Sequence, residues 1–459
     1  MIFPSGFFKN TMPKHNRALL PYRTIVIFCG LWVFIALVNG LLIKTGHATG
    51  TTIFFPISIF QPGFHGNGIP YAGLFAVCFI IGISFCHRMK TFHIWALGLL
   101  LLILGNMIQG GFEEGFRTPV YASEIQYYHD VINIHDAKVF LANFNDQQAT
   151  FLDHTRTHPP FAVLFMYYIL RATGGSIAVL AAAFTLLSSF TLIVIRHVMI
   201  RLGNSPARAS RFALLYAVIP AFNIYGAVSL DGVIAMFAAI WVLGATLVMT
   251  NHHQRTGIFL AVFAIIFMNA VTFLGAFLVA ATILAAIRER ILHRRYRFAT
   301  ILGISLVVGA FFYLGFKAIF GYDHFMAFFT ASHIENPDGF LAVHAPLKYI
   351  MTRLEDIFEI GLFLSVGVLG VCFRPDFLLL NPRDIRDEGT SLYQIGICVL
   401  LLMFLTGALR TGETARACLF IYPFFFLLLR KVNDYTLQAI TITAGIQTAV
   451  MQLFGFYFW

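Results

Sequence analysis

Long apolar runs with almost no charged residues recur along the whole chain. Most of them are about 20 residues long, which lets a helix cross the roughly 30 Å of hydrocarbon in a bilayer. Hydrophobic residues are continuous within each run and do not alternate with polar ones, as they would in barrel strands. Since only helices and closed barrels satisfy their backbone polar groups in lipid, the pattern predicts an all-α polytopic membrane protein.

The apolar runs predict about 13 crossings in one membrane domain that covers residues 1–459. Within it, 1–109 holds the N-terminal spans, 110–175 an external loop with interfacial helices, and 176–459 the remaining spans with a second external loop at 319–356. The predicted crossings are 24–43, 70–87, 92–109, 176–195, 212–228, 232–250, two short helices forming a hairpin within 257–287, 299–318, 357–373, 391–408, 415–429 and 436–456.

The distribution of charge predicts which ends of the crossings face the cytoplasm, because cytoplasmic loops are rich in Lys and Arg. With the N-terminus inside, 21 of the 31 Lys and Arg but only 6 of the 21 Asp and Glu fall inside. The apolar piece 161–170 follows two prolines and is too short to cross. Treating it as an interfacial helix keeps the arginines of 196–211 inside. The N-terminus is therefore predicted to be cytoplasmic and the C-terminus external.

Composition narrows the class further. Hydrophobic residues make up 59% of the chain and charged residues 11%, which is far from the composition of soluble folds. The net charge of +10 lies in short clusters between apolar runs, a distribution that positive-inside bias explains better than nucleic-acid binding. The six cysteines lie in or beside apolar runs without paired spacing, so we interpret them as small core residues.

Acidic residues are concentrated in the first external loop, where seven of the 21 acids lie between residues 110 and 158. Glu124 and Asp130 flank the tyrosine pair Tyr127-Tyr128. A carboxylate that is partly buried near the membrane surface can act as a general base toward a hydroxyl. The alternative, for any one of these acids, is an ordinary solvated surface residue.

Asp231 is a second candidate, since it is the only charged residue between Arg211 and Arg255. An acid in an otherwise apolar stretch is costly and needs a charged partner or a cavity. We expect Asp231 to line the same external cavity as the first loop. A simple helix cap is the alternative.

The short external turn 410–416 is the third candidate. Arg410 and Arg416 suit a phosphate through paired hydrogen bonds, with Glu413 orienting one of them. A salt-bridged turn that only caps helices is the alternative. Lys348, in the second external loop, suits either a lipid phosphate or anchoring at the membrane surface.

In their order and spacing these features resemble the GT-C superfamily of membrane glycosyltransferases. The chain looks most like relatives of the dolichyl-phosphate-mannose protein mannosyltransferases and of the lipid A aminoarabinose transferase. The likeness rests on a long first external loop with an acid before tyrosines, His158-Pro159-Pro160 before a short helix, Leu230-Asp231 after a proline-containing span, and the Gly-Glu-x-x-Arg turn at 412–416.

The resemblance implies inverting transfer of a sugar from a polyprenyl-phosphate donor to a glycan, glycolipid or protein acceptor at the external face of the bilayer. It implies that Glu124 is the catalytic carboxylate, with Asp130 as the second choice. His158 matches the family's motif before the interfacial helix, and Asp231 matches an acid near the donor phosphate. A divalent cation, Mg²⁺ or Mn²⁺, stays open as a cofactor.

A transporter or flippase for a lipid-linked or anionic solute is the competing hypothesis. Transporters usually place ionisable residues at mid-bilayer depth in broken, often repeated, helices. The chain has no visible repeat, and its charged residues lie mainly between the apolar runs. The sequence therefore favours an enzyme over a transporter, and a purely structural role would leave the acidic loop unexplained.

Overall fold

The computed structural model describes residues 61–337, 339–372, 387–407 and 413–457, together with isolated positions between 26 and 57. Nearly all of the described chain is helical. Its one sheet joins two strands of two residues each, β1 and β2, in antiparallel pairing of Gln61 with Phe456. The all-α prediction is thus confirmed, and most of the predicted span 24–43 lies outside the described residues.

The elements follow one another along the chain with short connections. They are β1 (Gln61–Pro62), α1 (Ile69–Phe85), α2 (Thr91–Met107), α3 (Tyr127–Val131), α4 (Ala137–Gln147), α5 (Asp153–Arg156), α6 (Pro160–Ala172), α7 (Ile177–Arg201), α8 (Pro206–Val218), α9 (Pro220–Tyr225), α10 (Leu230–Met249), α11 (Gln254–Val271), α12 (Ala276–His293), α13 (Arg297–Phe320), α14 (His324–Glu335), α15 (Leu341–His344), α16 (Pro346–Leu364), α17 (Val366–Cys372), α18 (Glu388–Leu405), α19 (Thr414–Ala417), α20 (Tyr422–Leu429), α21 (Asp434–Phe454) and β2 (Gly455–Phe456).

Seven helices in the described part of the chain are long and apolar enough to cross a membrane. This is consistent with a membrane-embedded protein, whereas the figure of about 13 crossings and the GT-C fold stay predictions. The apolar piece 161–170, predicted to be interfacial, lies in α6. This helix has 13 residues and spans only about 20 Å at 1.5 Å per residue. The seven candidates are Gly66–Arg88, Ile177–Arg201, Leu230–Met249, Gln254–Val271, Arg297–Phe320, Glu388–Leu405 and Asp434–Phe454.

Three predicted spans are each divided between two helices in the structure. The run 212–228 is not one helix, because α8 ends at Val218 and α9 begins at Pro220, whose ring lacks the N–H that a continuous helix needs. Of the run 357–373, the described residues 357–372 belong to α16 and α17, which Ser365 separates with a φ of 101°. The run 415–429 begins as the single turn α19 and continues, after a 3-10 turn, as α20.

The hairpin predicted within 257–287 is present, but its helices are not short. Helices α11 and α12 have 18 residues each. They are longer than expected because α11 begins before the predicted hairpin, at Gln254, and α12 continues beyond it to His293. The far ends of this hairpin lie together, since Nη1 of Arg295 donates to Oδ1 of Asn251 over 3.3 Å.

Helix α10 is the centre of the bundle. It packs against α7, α11, α18 and α20, and 89% of its apolar stretch is buried, against 17% for the peripheral helix α13. Trp241, which is fully buried, donates from Nε1 to Oγ1 of Thr282 on α12 over 3.0 Å. The first turn of α10 carries Asp231, so the burial of this helix places a carboxylate inside the protein.

A polar clasp of four buried amides, Asn106, Gln109, Asn223 and Gln452, joins α2, α9 and α21. Nδ2 of Asn106 donates to the carbonyl oxygen of Asn223 over 2.6 Å, and Nε2 of Gln452 donates to Oδ1 of Asn223 over 3.1 Å. Gln109 donates in turn to Gln452. A Cβ at Gly105 would lie 1.9 Å from Oδ1 of Asn223, so the close approach of α2 requires glycine at that position. The clasp fixes α9 beside the start of α10.

Candidate functional site

A cavity of about 310 Å³ lies where the start of α10 meets α19, the loop helices α3 and α5, and helix α14. A smaller cavity of about 30 Å³ lies beside it and shares Tyr127, Asp231 and Arg416 with it. Polar and aromatic side chains from distant parts of the sequence share its wall. They include Tyr127, His154, Thr157, His158, Asp231, Phe273, Phe328, Ser332, Glu335, Glu413 and Arg416.

The start of α10 orients Asp231. Ser229 caps the helix, since its Oγ accepts a hydrogen bond from the backbone N–H of Asp231 and donates to Oδ2 of Asp231, both over 2.9 Å. Val228, just before the cap, has a φ of 60°, which is a strained conformation for a β-branched residue. Its N–H donates to Oγ1 of Thr185 on α7 over 3.0 Å. Backbone strain of this kind is found most often at functional sites.

Arg416 joins two carboxylates at the cavity wall. Its Nε lies 2.9 Å from Oδ2 of Asp231, and its Nη1 lies 2.8 Å from Oε2 of Glu413. The three side chains are only 13–20% exposed. Burial alone would lower the pKa of Arg416, but the charges of Glu413 and Asp231 raise it above its ordinary value. The guanidinium has five N–H groups, so these two bonds leave donors for a ligand.

Helix α16 fixes the turn that carries Arg416 through two hydrogen bonds. Oγ1 of Thr414 donates to Oδ1 of Asp356 over 2.6 Å, and both side chains are buried. The N–H of Ala415 donates to Oε1 of Glu359 over 3.4 Å. Glu413 itself has a φ of 56°, a left-handed conformation that costs a non-glycine residue free energy. Tertiary contacts therefore hold Arg416 in place, since α19 is only one turn long.

Two histidines and a tyrosine form the opposite wall. The ring of Tyr127 stacks on His154 at 5.3 Å and meets His158 edge to face at 5.4 Å. Nδ1 of His158 lies 3.0 Å from the carbonyl oxygen of His154, so Nδ1 carries the proton and Nε2 is left as a hydrogen-bond acceptor. The cavity wall thus contains a neutral imidazole in a fixed tautomer.

Burial keeps both histidines uncharged near neutral pH. It lowers the pKa of His154 to about 3, and the neighbouring charge of Arg416 acts in the same direction. Burial also lowers the pKa of His158, although the carboxylate of Asp231 opposes that effect. Burial raises the pKa of Tyr127, so this phenol stays protonated. A positive charge formed on His158 during a reaction would be stabilised by Asp231.

The third wall comes from α14 and the turn before α12. Phe328 meets Phe273 edge to face at 5.6 Å, and Ser332 and Glu335 follow one and two turns later on the same helix. Gln148 fixes α14 against α5, because its Nε2 donates both to the carbonyl oxygen of Ala327 and to that of Arg156. Gln148 is fully buried, so the loop helices and α14 form one continuous wall.

Four of the predicted site residues come together in this cavity: His158, Asp231, Glu413 and Arg416. They are separated by up to 258 positions in the sequence, yet Asp231 and Arg416 are in direct contact. The predicted cavity shared by the first loop and Asp231 is therefore present. Glu413 orients Arg416 through an ion pair, as the sequence suggested.

Three predicted site residues lie elsewhere. Glu124 is exposed on the turn before α3 and lines neither cavity. Asp130 accepts a hydrogen bond from the N–H of Leu152 over 3.1 Å, so it links α3 to the start of α5. Lys348 is exposed on α16 away from both cavities. Arg410 lies outside the described residues.

No pattern in the sequence distinguishes several of the residues that line the cavity. Phe273 lies in an uncharged apolar run, and Phe328 is one of 51 phenylalanines. His154 is different, because it precedes His158 by four residues, which is one helical turn. Such spacing places both imidazoles on one side of the chain. A search for polar pairs at this spacing would have found His154.

No group of three or more His, Cys, Asp and Glu is placed to hold a metal ion in the described part of the chain. The divalent cation therefore stays a prediction. The chemistry that the described cavity offers comes from a neutral imidazole, partly buried carboxylates and a guanidinium, which suit proton transfer and binding of a developing negative charge. No family model, no curated protein and no solved structure matches the chain.

Proposed function

We propose that the cavity is the active site of an inverting glycosyltransferase that takes its sugar from a polyprenyl-phosphate donor. The observation that carries this proposal is the convergence of His158, Asp231 and Arg416 at one end of a bundle of apolar helices. A lipid-linked donor has a polar head and a long apolar chain. A polar cavity at the end of membrane helices fits a substrate of that kind.

The reaction needs a base for the acceptor and a cation for the leaving group. Nε2 of His158 takes the proton of the acceptor hydroxyl, whose oxygen attacks the anomeric carbon from the face opposite the phosphate. The bond between that carbon and the phosphate oxygen breaks, and the phosphate leaves with the electron pair. Arg416 donates to the departing phosphate. Asp231 stabilises the imidazolium until its proton passes to water.

His158 replaces Glu124 as the proposed base because of its position. His158 lines the cavity with its acceptor nitrogen fixed by a backbone hydrogen bond, whereas Glu124 is exposed outside it. A general base must come within hydrogen-bond reach of the proton that it removes. We keep the sugar, the lipid carrier and the acceptor open, and we place the cavity at the external face because arginines dominate the opposite end of the helices.

Transfer is tested with membranes that contain the full chain. They are incubated with a panel of radiolabelled polyprenyl-phosphate sugars, and label is followed into lipid, glycan and protein fractions. We expect one donor to transfer, and we expect H158A to reduce the rate about 10²- to 10⁴-fold, the range for removal of a general base. E124Q is the matched control and keeps the wild-type rate. Absence of transfer with every donor would contradict the proposed function.

The assignment of the base is tested separately from the function. If H158A transfers at the wild-type rate and E124Q does not, the enzyme is a glycosyltransferase with Glu124 as its base. If both variants retain activity, a different group takes the proton. In each case the donor panel still identifies the reaction.

Transport is a second candidate because of one observation on α16. Arg353, Glu355, Asp356 and Glu359 are all buried on this helix, which breaks at Ser365 before α17 begins. Buried ionisable residues beside a broken helix are typical of transporters. The test is uptake of labelled polyprenyl-phosphate sugars or phosphate by proteoliposomes. Uptake without transfer of label to an acceptor would favour the transporter.

A further inference from the structure

The end of α10 that lies opposite the cavity carries a second cluster of charge, which we call the arginine shelf. It consists of residues 251–255, which lead from α10 into the start of α11, and residues 288–297, where α12 leads into α13. Arg297 connects the two segments: its Nε bonds Oε1 of Glu289 over 2.5 Å, and its Nη1 donates to the carbonyl oxygen of Val248 and to Asn251. The shelf is thus a defined surface and not two independent loops.

Four of the other arginines on the shelf have no acidic partner among the described residues. Arg255, Arg290, Arg294 and Arg295 are all exposed, and no described carboxylate forms an ion pair with any of them. The one acid in these two segments, Glu289, is 2% exposed and already bonded to Arg297. The arginines on the neighbouring helices differ, since Arg208 and Arg211 both pair with Asp434.

Backbone conformation adds an independent observation. Asn251, His253 and Arg294 have φ values of 56°, 50° and 54°. Arg294 ends α12 in the left-handed conformation, a position where helices usually have glycine. An arginine there costs free energy that glycine would not. The strain is in keeping with a residue whose charge is used for binding.

Apolar side chains lie among these arginines. Ile291 is 73% exposed and Tyr296 is 59% exposed, and the guanidinium of Arg290 lies 4.8 Å from the centre of the Tyr296 ring. Tyrosine beside arginine is the composition of the membrane interface, where the ring sits at the level of the headgroups. A soluble acidic partner would pair with the arginines, but it would not provide an apolar environment for Ile291 and Tyr296.

We propose that the arginine shelf is a binding site for the headgroups of anionic phospholipids. Each arginine near an anionic membrane surface raises the affinity up to about fivefold. The lipid phosphates contact Arg255, Arg290, Arg294 and Arg295, while Ile291 and Tyr296 lie beside the acyl chains. This inference depends on the membrane location and not on the glycosyltransferase reaction.

The test measures lipid selectivity at the protein surface. The full chain is reconstituted in phosphatidylcholine vesicles, and spin-labelled phosphatidylglycerol and spin-labelled phosphatidylcholine are compared for association with the protein by electron spin resonance. We expect several-fold preference for phosphatidylglycerol, reduced in 0.5 M salt because exposed charges are screened. The variant R255Q/R290Q/R294Q/R295Q loses most of this preference, whereas the control K138Q, at an exposed lysine of α4, keeps it.

A single variant separates binding from folding. R294G removes one charge while it relieves the left-handed backbone, so it should weaken the preference without lowering the melting temperature. Equal association of the two lipids with wild-type protein would overturn the proposal, as would an unchanged preference in the quadruple variant. If polyglutamate then bound the wild type in detergent but not the quadruple variant, the shelf would belong to an acidic protein partner.

Discussion

The two ends of α10 differ in whether their charged side chains are paired within the protein. At the cavity, Asp231 is 20% exposed and shares Arg416 with Glu413, so each charge has a partner within the protein. At the arginine shelf, four exposed arginines have no acidic partner among the described residues. A buried charge without a partner is very costly, while an exposed one is solvated. The cavity therefore depends on its own ion pairs, whereas the shelf is free to bind a ligand from outside.

The largest expected effect comes from removing a carboxylate at the cavity, compared with removing an exposed carboxylate that pairs with the arginines of α8. D231A leaves Arg416 with one partner and should destabilise the protein by about 3 kcal/mol, the range for breaking a buried ion pair. D434A removes the partner of Arg208 and Arg211, but Asp434 is 56% exposed, so less than about 1 kcal/mol is expected. Denaturant titration in detergent measures both. Equal losses would contradict the distinction between buried and exposed pairs.

Acid should weaken the cavity end. The pKa of His154 is about 3 in the folded protein against 6.5 for the free side chain. Below pH 6.5 the unfolded chain therefore binds a proton that the folded protein does not, and stability falls as the pH drops toward 3. One such group contributes a slope of up to about 1.4 kcal/mol per pH unit. Melting temperatures should fall less steeply with acid in H154Q, and H293Q, on the exposed shelf, should follow the wild type.

A smaller loss of stability is expected when the hydrogen bond between Thr414 and Asp356, which fixes the turn of Arg416, is removed. T414V keeps the shape of the side chain but cannot donate to Asp356, which is fully buried. The expected loss is about 1.5 kcal/mol, because a buried acceptor is left without its hydrogen bond. T414S keeps the hydroxyl and should behave like wild type. In the donor assay T414V should also reduce transfer, and a normal rate would show that Arg416 does not need this support.

The smallest expected effect is at the shelf and has the opposite sign. R294G should stabilise the protein by about 0.5 kcal/mol, since relief of left-handed strain exceeds the added freedom of glycine in the unfolded chain. R295G is the matched control, because Arg295 is not among the residues of positive φ and gains no such relief. A destabilised R294G would mean that Arg294 has a structural role.

The apolar runs predicted most helices, because a helix in lipid must be continuously hydrophobic and has few alternatives. They failed where tertiary contacts decide the ends of helices. Helix α16 begins at Pro346, eleven residues before the predicted span, since Arg353, Asp356 and Glu359 find buried partners that the sequence does not reveal. The break at Pro220 was visible as a proline, but hydrophobicity alone joined the two sides.

Within the cavity, sequence analysis identified the residues whose charge requires a partner of the opposite sign. A lone acid such as Asp231 must find a cation, and Arg416 beside Glu413 offered one. Glu124 was selected from seven acids in an irregular loop, where neither helical period nor burial indicates which side chain points inward. In short turns, tertiary packing decides which side chain points inward. His158 lines the cavity directly before Pro159, whose extended backbone leads into α6.

The polar clasp has a consequence for biosynthesis. Asn106, Gln109 and Asn223 enter the membrane early, but Gln452, which binds Gln109 and Asn223, is made more than 200 residues later. Until α21 has been made, these amides lack part of their hydrogen bonding. We therefore expect a chain that lacks α21 to be less stable, because these amides would keep unused hydrogen-bonding groups inside the bundle. Ribosome stalling before residue 434 should leave a protein that quality-control proteases recognise.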